Sequence, residues 1–508
     1  MKIERTKNAS RNVLFGVIMK VYQIAVPFVM RTALIYFLGM QYLGLNGLFT
    51  SVLQVLNLAE LGVGSAMVYS MYKPIAEDDH DRICALMKLY RLYYRIIGIV
   101  IGCIGLSITP FIDRLVKGDV PPEINIYVLY LMHLATTVLT YWLFAYKNSL
   151  LSAHQRNDIK SKVVIIIDTI KYALQMCVLI FLKNYYIYIL VALVTQAVDN
   201  IVVAIIANRL YPNYKPRGSL APSEIKQING RVRDLFTAKF GSVIFKSADT
   251  IVISSFLGLT ILAVFQNYYY IMNSIYGIMG IVFSSVLAGI GNSLISESVE
   301  KNYVDLKKFT FIVCWVLCFC CCCFLCLYQP FMQLWVGIKY MLSYQYVILF
   351  VVYFYVCELA MVWATIKDAA GLWHSDRFRP LIGATANLIM NIILVNVIGL
   401  AGVLLSTILS YIFISMPWLL HNIFTLLYKR SCKEYLKKLS LYCLCTALSC
   451  VICAFLCSRF SLSPMLSLVV NAVICMVIPN AVQYIILRNT EEFSATLLLA
   501  KKIIRRRA

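Results

Sequence analysis

The sequence predicts an all-α polytopic membrane protein. The mean hydropathy of the 508-residue chain is +0.78, 61% of its residues are hydrophobic and only 14% are charged. Apolar runs repeatedly exceed the roughly 18 residues that mark a membrane-spanning helix. No period-two pattern competes with them, and a lipid-spanning chain that is not a barrel must be helical.

The pattern predicts fourteen transmembrane helices. Their boundaries lie near residues 13–38, 43–71, 93–112, 125–151, 163–182, 185–208, 236–257, 264–294, 309–328, 342–366, 380–398, 401–427, 438–457 and 463–487. No small-residue cleavage site follows the N-terminal segment, so we expect no cleaved signal peptide.

The distribution of Lys and Arg predicts the orientation. Of the 46 such residues, 36 fall in alternate loops and terminal segments, and the intervening loops hold 5. By the positive-inside rule, both termini are then cytoplasmic. The net charge of +22 therefore reflects membrane topology, and we expect no nucleic-acid partner.

Two motifs recur in the same order, six helices apart. Phe37-Leu38-Gly39 returns as Phe256-Leu257-Gly258, and the glycine pattern of 61–66 returns in 288–293. An even offset predicts two six-helix lobes related by a pseudo-two-fold axis along the membrane normal. The predicted parts are an N-terminal lobe (1–210), a cytoplasmic linker (211–235), a C-terminal lobe (236–428), and a helix hairpin with a basic tail (429–508).

The first predicted helix carries two cations, Lys20 and Arg31. Eleven residues at about 100° each come to roughly 20° beyond three full turns, so both cations and Pro27 share one stripe. A charge at bilayer depth costs at least about 2.5–3.5 kcal/mol and usually faces a bundle interior or water. The alternative is that the two side chains snorkel from opposite ends of a tilted helix. We interpret the stripe as part of a cationic, hydrated interior that receives an anion.

Other polar residues within the predicted helices are candidates for gating or ion coupling. Lys246 and Asp249 lie three residues apart, as do Asp168 and Lys171, so each pair is on one helical face. Internal ion pairs and interhelical hydrogen bonds without a further role are the alternative interpretation. The six gating or coupling candidates are Glu60, Asp168, Lys171, Asp199, Asp249 and Glu358.

Signatures of enzymes and of metal sites are lacking in the sequence. There is neither a G-x-x-x-x-G-K-[ST] loop nor an H-E-x-x-H pair. Most of the 18 cysteines fall in apolar helices, where we expect packing and no disulfides. We therefore predict that the protein is not an enzyme and binds no metal or organic cofactor.

Two segments resemble a known family. The run 60–76, ELGVGSAMVYSMYKPIA, and the run 249–258, DTIVISSFLG, continued by 265–268, are similar to motifs of the Wzx-type polysaccharide-export flippases. That group belongs to a superfamily which also holds the lipid II flippases and the multidrug and toxic-compound extruders. Ala263 and Phe265 depart conservatively from the Gly and Tyr that are commoner at their positions.

The resemblance implies a bacterial cytoplasmic-membrane transporter in which two lobes flank a cavity that opens alternately to each side. It implies a substrate that is an oligosaccharide on undecaprenyl diphosphate, such as an O-antigen, capsule or exopolysaccharide repeat unit. Lys20, Arg31 and Lys246 would then meet the diphosphate. The resemblance leaves proton or sodium coupling open. The candidates for sugar contact are Asn57, Asn267, Tyr270 and Asn273.

The implied partners are the lipid-linked substrate, membrane lipids and, as candidate proteins, a glycan polymerase and a chain-length regulator. A drug or metabolite antiporter of the same fold is an alternative, and it would favour carboxylates over the Lys and Arg found here. A membrane-embedded glycan polymerase or ligase is a second alternative. That class needs a long extracytoplasmic loop for its catalytic residues, and the loops predicted to face outward are short.

Overall fold

The computed structural model describes residues 5–60, 62–118, 120–460 and 463–498, without the side chains of residues 5–15, 17, 59, 234, 237–239, 242 and 246. The secondary structure of this described part is helical throughout, with no strand. The α-helices are α1 (Arg5–Phe37), α2 (Met40–Leu56), α3 (Val63–Ala76), α4 (His80–Ile108), α5 (Ile126–Trp142), α6 (Tyr146–Ala153), α7 (Asn157–Cys177), α8 (Tyr185–Leu210), α9 (Pro222–Leu257), α10 (Leu259–Ser296), α11 (Val299–Trp335), α12 (Tyr344–Ala369), α13 (Trp373–Asp376), α14 (Arg379–Ile398), α15 (Leu400–Ser410), α16 (Met416–Asn422), α17 (Lys433–Ser458) and α18 (Pro464–Leu487).

Short segments of other helix types connect or extend several of these helices. The 3₁₀ segments are Asn57–Glu60, Thr109–Leu115 and Ile338–Tyr340, and the π segments are Val178–Leu182, Tyr411–Ser415 and Ile423–Leu427.

The helices make a multi-pass membrane protein. Within the described residues, 11 helices are long and apolar enough to cross a membrane, or 12 if α5 and α6 form one bent span. The predicted spans near 43–71 and 236–257 correspond to α2 with α3 and to part of α9. These two regions do not meet the same length and composition test, so the count of fourteen stays a prediction.

The chain forms two compact units, residues 1–263 and 264–508. The division falls inside α10, after Ala263. The sequence-based linker, 211–235, is not all loop, because α9 begins at Pro222 and continues to Leu257. Pro at the first helical turn loses no hydrogen bond, which explains the early start of this helix. The predicted domain limits and the pseudo-two-fold axis remain predictions.

The segment predicted as one helix over 43–71 is broken in the structure. Helix α2 ends at Leu56, a 3₁₀ turn follows over Asn57–Glu60, and α3 begins at Val63. Gly62 at the N-cap of α3 has φ +91°, a conformation that costs an L-residue about 1–2 kcal/mol. The expectation of one continuous helix over 43–71 was wrong here, because the chain passes through a 3₁₀ turn and a positive φ at Gly62 before α3 begins.

The first recurring motif forms the same turn twice. Gly39, between α1 and α2, has φ +113° and ψ 174°, and Gly258, between α9 and α10, has φ +93° and ψ 172°. The second motif does not repeat its conformation, because 288–293 lies inside the continuous helix α10. The break at Asn57–Gly62 is therefore particular to the first copy.

Replacing Gly62 by Ala should destabilise the first unit. The new Cβ would lie 2.6 Å from the Leu235 Cβ and 3.0 Å from the Val232 carbonyl oxygen, in addition to the positive φ. We expect a loss of at least about 1–2 kcal/mol, seen as a lower apparent melting temperature of the purified protein. Gly280→Ala is the matched control, because nothing lies within 4 Å of its added Cβ. Equal shifts for the two variants would contradict this assignment.

The first unit is built from helix pairs in which α1 packs on α7, α4 on α5, α7 on α8, and α2 on α9. The tightest backbone approach is at Gly44, where an added Cβ would lie 2.3 Å from the Leu259 carbonyl oxygen. Gly44 is on α2 and Leu259 begins α10, so a residue larger than Gly would push α2 away from the start of α10.

In the second unit, α17 and α18 pack against α11. Cysteines of α11 lie in this seam, and Cys322 Sγ is 3.7 Å from Cys450 Sγ. Asn471 of α18 donates a hydrogen bond to the Cys326 carbonyl (3.1 Å), and all 18 cysteines are free thiols. The two helices of the predicted C-terminal hairpin, α17 and α18, are thus closely packed on α11.

Candidate functional site

Glu60 lies at the break between α2 and α3 and points into the first unit. Its Oε1 accepts a hydrogen bond from the Tyr94 hydroxyl (3.2 Å), and its Oε2 accepts one from the Tyr141 hydroxyl (2.9 Å). Both tyrosines are buried, and their rings stack with centroids 6.0 Å apart. Helices α4 and α5 therefore hold the carboxylate in one orientation.

A cavity of about 640 Å³ opens beside this carboxylate, and we name it the Glu60 cavity. Its charged lining residues are Glu60 and Lys160, and the remainder are mainly tyrosines, amides and hydroxyl residues. The lining residues are Glu60, Gly64, Ser65, Val68, Tyr69, Tyr72, Tyr94, Thr140, Tyr141, Ala145, Asn148, Ser149, Ser152, Lys160 and Asn200. A polar cavity of this size is large enough to hold a small ligand.

Two amide oxygens near the break are buried without a hydrogen-bond partner among the described residues. They are the Oδ1 atoms of Asn57, in the 3₁₀ turn, and of Asn148, in the cavity wall. Asn200, by contrast, donates to the Thr140 carbonyl (3.2 Å). Buried polar atoms are normally satisfied by protein, water or ligand, so Asn148 marks a place where a hydroxyl donor would fit.

A charge cluster lies on α7 and α8. Lys171 Nζ is 2.5 Å from Asp168 Oδ1, with about a fifth to a quarter of each side chain exposed. The Asp199 carboxylate interacts electrostatically with Asp168, Lys171 and Lys160. Lys160 thus belongs both to this cluster and to the Glu60 cavity. The structure thus brings together three of the six gating candidates, Asp168, Lys171 and Asp199, and Lys160 connects them to the cavity that Glu60 lines.

The first helix is attached to the charge cluster by aromatic and polar contacts. The Tyr22 hydroxyl is 2.9 Å from Thr169 Oγ1, and the Tyr22 ring lies 6.5 Å from that of Tyr172. The Lys171 ammonium lies 4.4 Å from the centroid of the Tyr172 ring. These contacts fix the rotation of α1 relative to α7.

Lys20 and Arg31 lie in the apolar stretch Ile18–Phe37 of α1, with Pro27 between them. Both side chains are half-buried, and the Arg31 charge interacts with the Tyr188 hydroxyl. Tyr36, the most exposed large residue of this stretch, lies about 140° around the helix from Arg31. Arg31 is therefore off the most exposed face of the helix.

The predicted Lys246–Asp249 pair falls partly outside the described residues. The side chain of Lys246 is not among those that the structure describes, whereas Asp249 is buried on α9. The pairing stays a prediction.

In the second unit, Glu358 is buried on α12, and its Oε2 has no hydrogen-bond partner among the described residues. The three predicted sugar contacts of α10 differ in environment. Asn267 is fully buried, Tyr270 is half-buried and Asn273 is exposed. Of these three residues, Tyr270 and Asn273 have side-chain surface that a ligand could contact.

Sequence reasoning missed the residues that complete the Glu60 cavity, chiefly Tyr94, Tyr141, Asn148 and Lys160. The tyrosines lie 47 positions apart on different helices, so no spacing links them. The signal that could have located the cavity is Gly62, because glycine readily adopts the positive φ that interrupts a helix, and an interruption there places Glu60 at a break.

Removing the Tyr141 hydroxyl should cost more than removing the Tyr130 hydroxyl on the same helix. Tyr141 donates to the Glu60 carboxylate, whereas Tyr130 donates to the neutral Gly105 carbonyl (3.0 Å). Hydrogen bonds to charged groups contribute about 1.5–3 kcal/mol and neutral ones about 0.5–1.5 kcal/mol. We expect Tyr141→Phe to lower the melting temperature more than Tyr130→Phe. Equal shifts would contradict a stronger hydrogen bond at Tyr141.

The fold is similar to those of solved membrane transporters. The chain aligns with the lipid II flippase MurJ in its inward closed conformation with a TM-score of 0.70 and 15% identity, over 94% of this chain and 99% of that one. It aligns with an inward-facing multidrug resistance MATE family transporter of the MOP superfamily with a TM-score of 0.58 and 15% identity, over 77% and 92%.

A MOP superfamily transporter from Pyrococcus furiosus, described as having a binding pocket of reverse polarity, aligns with a TM-score of 0.51 and 14% identity, over 82% and 94%. No protein-family model and no curated protein sequence matches the chain. The chain therefore has the fold of the MOP superfamily transporters, on structural grounds.

Proposed function

We propose that the protein is a flippase for a lipid-linked oligosaccharide. In this proposal it moves an undecaprenyl-diphosphate-linked glycan from the cytoplasmic to the outer leaflet by alternating access. A sugar headgroup cannot cross hydrocarbon alone, because each hydroxyl without a partner costs several kcal/mol. A polar path through the protein avoids this cost while the prenyl chain stays in lipid.

One observation carries the proposal: two cations lie within the apolar stretch of α1 in a fold that aligns over 94% of the chain with that of a lipid II flippase. A lipid diphosphate is an anion that such cations would bind, and an Arg guanidinium suits bidentate contact with phosphate oxygens. The motifs at 60–76 and 249–258 favour an oligosaccharide-type headgroup through their similarity to the Wzx group. Lys246 is assigned with Lys20 and Arg31 to the diphosphate.

We assign the carboxylates a gating role within this proposal. The Asp168–Lys171 pair can exchange partners with Asp199, which lies in the same electrostatic environment. Asp249, Glu60 and Glu358 are further candidates, and the coupling ion would be a proton or sodium.

A multidrug antiporter is the second candidate function, favoured by the similarity to the MATE fold. It predicts transport of organic cations, which the pair of cations in α1 would oppose.

Loss of the protein should trap its substrate on the cytoplasmic side. We expect cells that lack the gene to lose surface glycan and to accumulate lipid-linked oligosaccharide that externally added lectin cannot reach. The measurement is lectin binding to spheroplasts, before and after permeabilisation. Normal surface glycan in the deletion strain, with increased sensitivity to cationic dyes, would favour the antiporter instead.

A further inference from the structure

The Glu60 cavity combines aromatic rings with hydrogen-bonding groups at one end of the first unit. It is lined by residues of α3, α6 and the first turn of α7, together with Tyr94 of α4, Tyr141 of α5 and Asn200 of α8. The loops between α3 and α4 and between α6 and α7 lie within the Lys- and Arg-rich segments 73–95 and 147–162. The charge pattern of the sequence predicts that these loops are cytoplasmic. The cavity then opens towards the side on which lipid-linked glycans are made.

The aromatic part of the wall consists of four tyrosines. Tyr94 and Tyr141 are buried, while Tyr69 and Tyr72 are exposed with ring centroids 6.3 Å apart. Arg231 lies 4.9 Å from the centroid of the Tyr69 ring. Arg231 therefore occupies Tyr69, whereas Tyr72 is an exposed ring in the cavity wall. An exposed aromatic ring can pack against the apolar C–H face of a pyranose, and the tyrosine hydroxyl can donate to water or ligand.

The polar part of the wall suits a ligand with many hydroxyl groups. Asn148 offers a buried Oδ1 acceptor with no partner among the described residues, and Ser65, Ser149 and Ser152 add hydroxyls around it. One carboxylate and one ammonium, from Glu60 and Lys160, leave the cavity without an excess of either sign. A strongly charged ligand such as a diphosphate is therefore not matched here, whereas an uncharged or weakly charged saccharide is.

We propose that the Glu60 cavity is a saccharide-binding site on the cytoplasmic side of the first unit. Tyr72 supplies the stacking surface, Asn148 accepts a hydroxyl hydrogen, and the Glu60–Tyr94–Tyr141 group forms the fixed rear wall. The inference rests on the proposed function for one point, that the saccharide is the headgroup of the transported lipid. It separates headgroup recognition in this cavity from diphosphate recognition at Lys20 and Arg31.

Saturation-transfer difference NMR on the full-length protein in nanodiscs tests the site. The probe is the total oligosaccharide released by mild acid from the lipid-linked pool of the source cells, so that every headgroup carried on lipid there is present. We expect sugar ring-proton signals with the unaltered protein. Asn148→Ala and Tyr72→Ala should each weaken binding by about three- to tenfold.

Ser65→Trp should remove the signals, because it fills the cavity from an exposed position of its wall. If Asn148→Ala or Tyr72→Ala fails to fold, Ser65→Trp still tests the cavity. The matched controls are Asn396→Ala and Tyr36→Ala, both exposed residues outside the cavity, and they should retain the full signals. If intact lipid-linked oligosaccharide competes for the site and reduces the sugar ring-proton signals, the natural ligand is the lipid headgroup. If only free oligosaccharide reduces them, the ligand is a free saccharide.

No signal with the unaltered protein, or equal signals in the Ser65→Trp variant, would overturn the site. Surface glycan measured in cells separates this failure from failure of the proposed function. If the three cavity variants export normally while Arg31→Ala does not, the flippase function stands and the cavity assignment falls.

Discussion

Replacing Arg31 by Ala should nearly abolish glycan export while the protein remains inserted in the membrane. Arg31 lies about 13 residues into the apolar stretch that starts at Ile18, and we assign its guanidinium to the lipid diphosphate. A hydrogen bond to a charged group contributes about 1.5–3 kcal/mol, which corresponds to a roughly 10- to 150-fold loss. The measurement is surface glycan per inserted protein. We expect Arg31→Lys to retain part of the activity, because Lys keeps the positive charge but lacks the bidentate guanidinium.

Arg217→Ala is the matched control for this prediction. Its side chain is 68% exposed and 3.7 Å from Asp81, so we expect export within error of the unaltered protein. Normal export by Arg31→Ala at normal expression would remove Arg31 from the substrate site.

Exchanging Asp168 and Lys171 should restore export that either single reversal destroys. The pair is 2.5 Å apart and mostly buried, so a single reversal leaves two like charges together in an environment of low dielectric constant. We expect Asp168→Lys and Lys171→Asp each to lose most export, and the double variant to recover a substantial part. Export and protein level are measured in the same cells.

The control pair for this exchange is Glu297 and Lys301, 2.7 Å apart with about half of each side chain exposed. Neutralising either should have little effect, since exposed pairs contribute about 0–1 kcal/mol. Full export by both single reversals in α7 would show that the Asp168–Lys171 pair has no role in transport.

How much of this protein can be predicted from its sequence depends on the range of the interactions. The Asp168–Lys171 pair was found because a helix places residues three apart on one face. Lys20 and Arg31 were found because a charged residue in an apolar helix is visible in the sequence, and the helical period places both on one stripe. These features are local, and the helical period is enough to connect them.

The Glu60 cavity could not be predicted in this way. Gln54, Asn57 and Glu60 are spaced as one polar edge of a continuous helix, yet the chain leaves the α-helix after Leu56. Only the tertiary contact of Gly62 with Leu235 shows why the break is fixed there. The tyrosine hydroxyls that hold Glu60 come from α4 and α5, and nothing in their spacing indicates that they meet.

Transfer across the bilayer in a purified system tests the central claim most directly. The protein is reconstituted into liposomes that carry a fluorescent undecaprenyl-diphosphate-linked oligosaccharide in both leaflets, and an externally added lectin or glycosidase reports the accessible fraction. We predict that the inaccessible fraction becomes accessible with time in liposomes with the unaltered protein, but stays protected with Arg31→Ala. A protected fraction that does not change with the unaltered protein, in liposomes where the same protein moves an organic cation, would contradict the account.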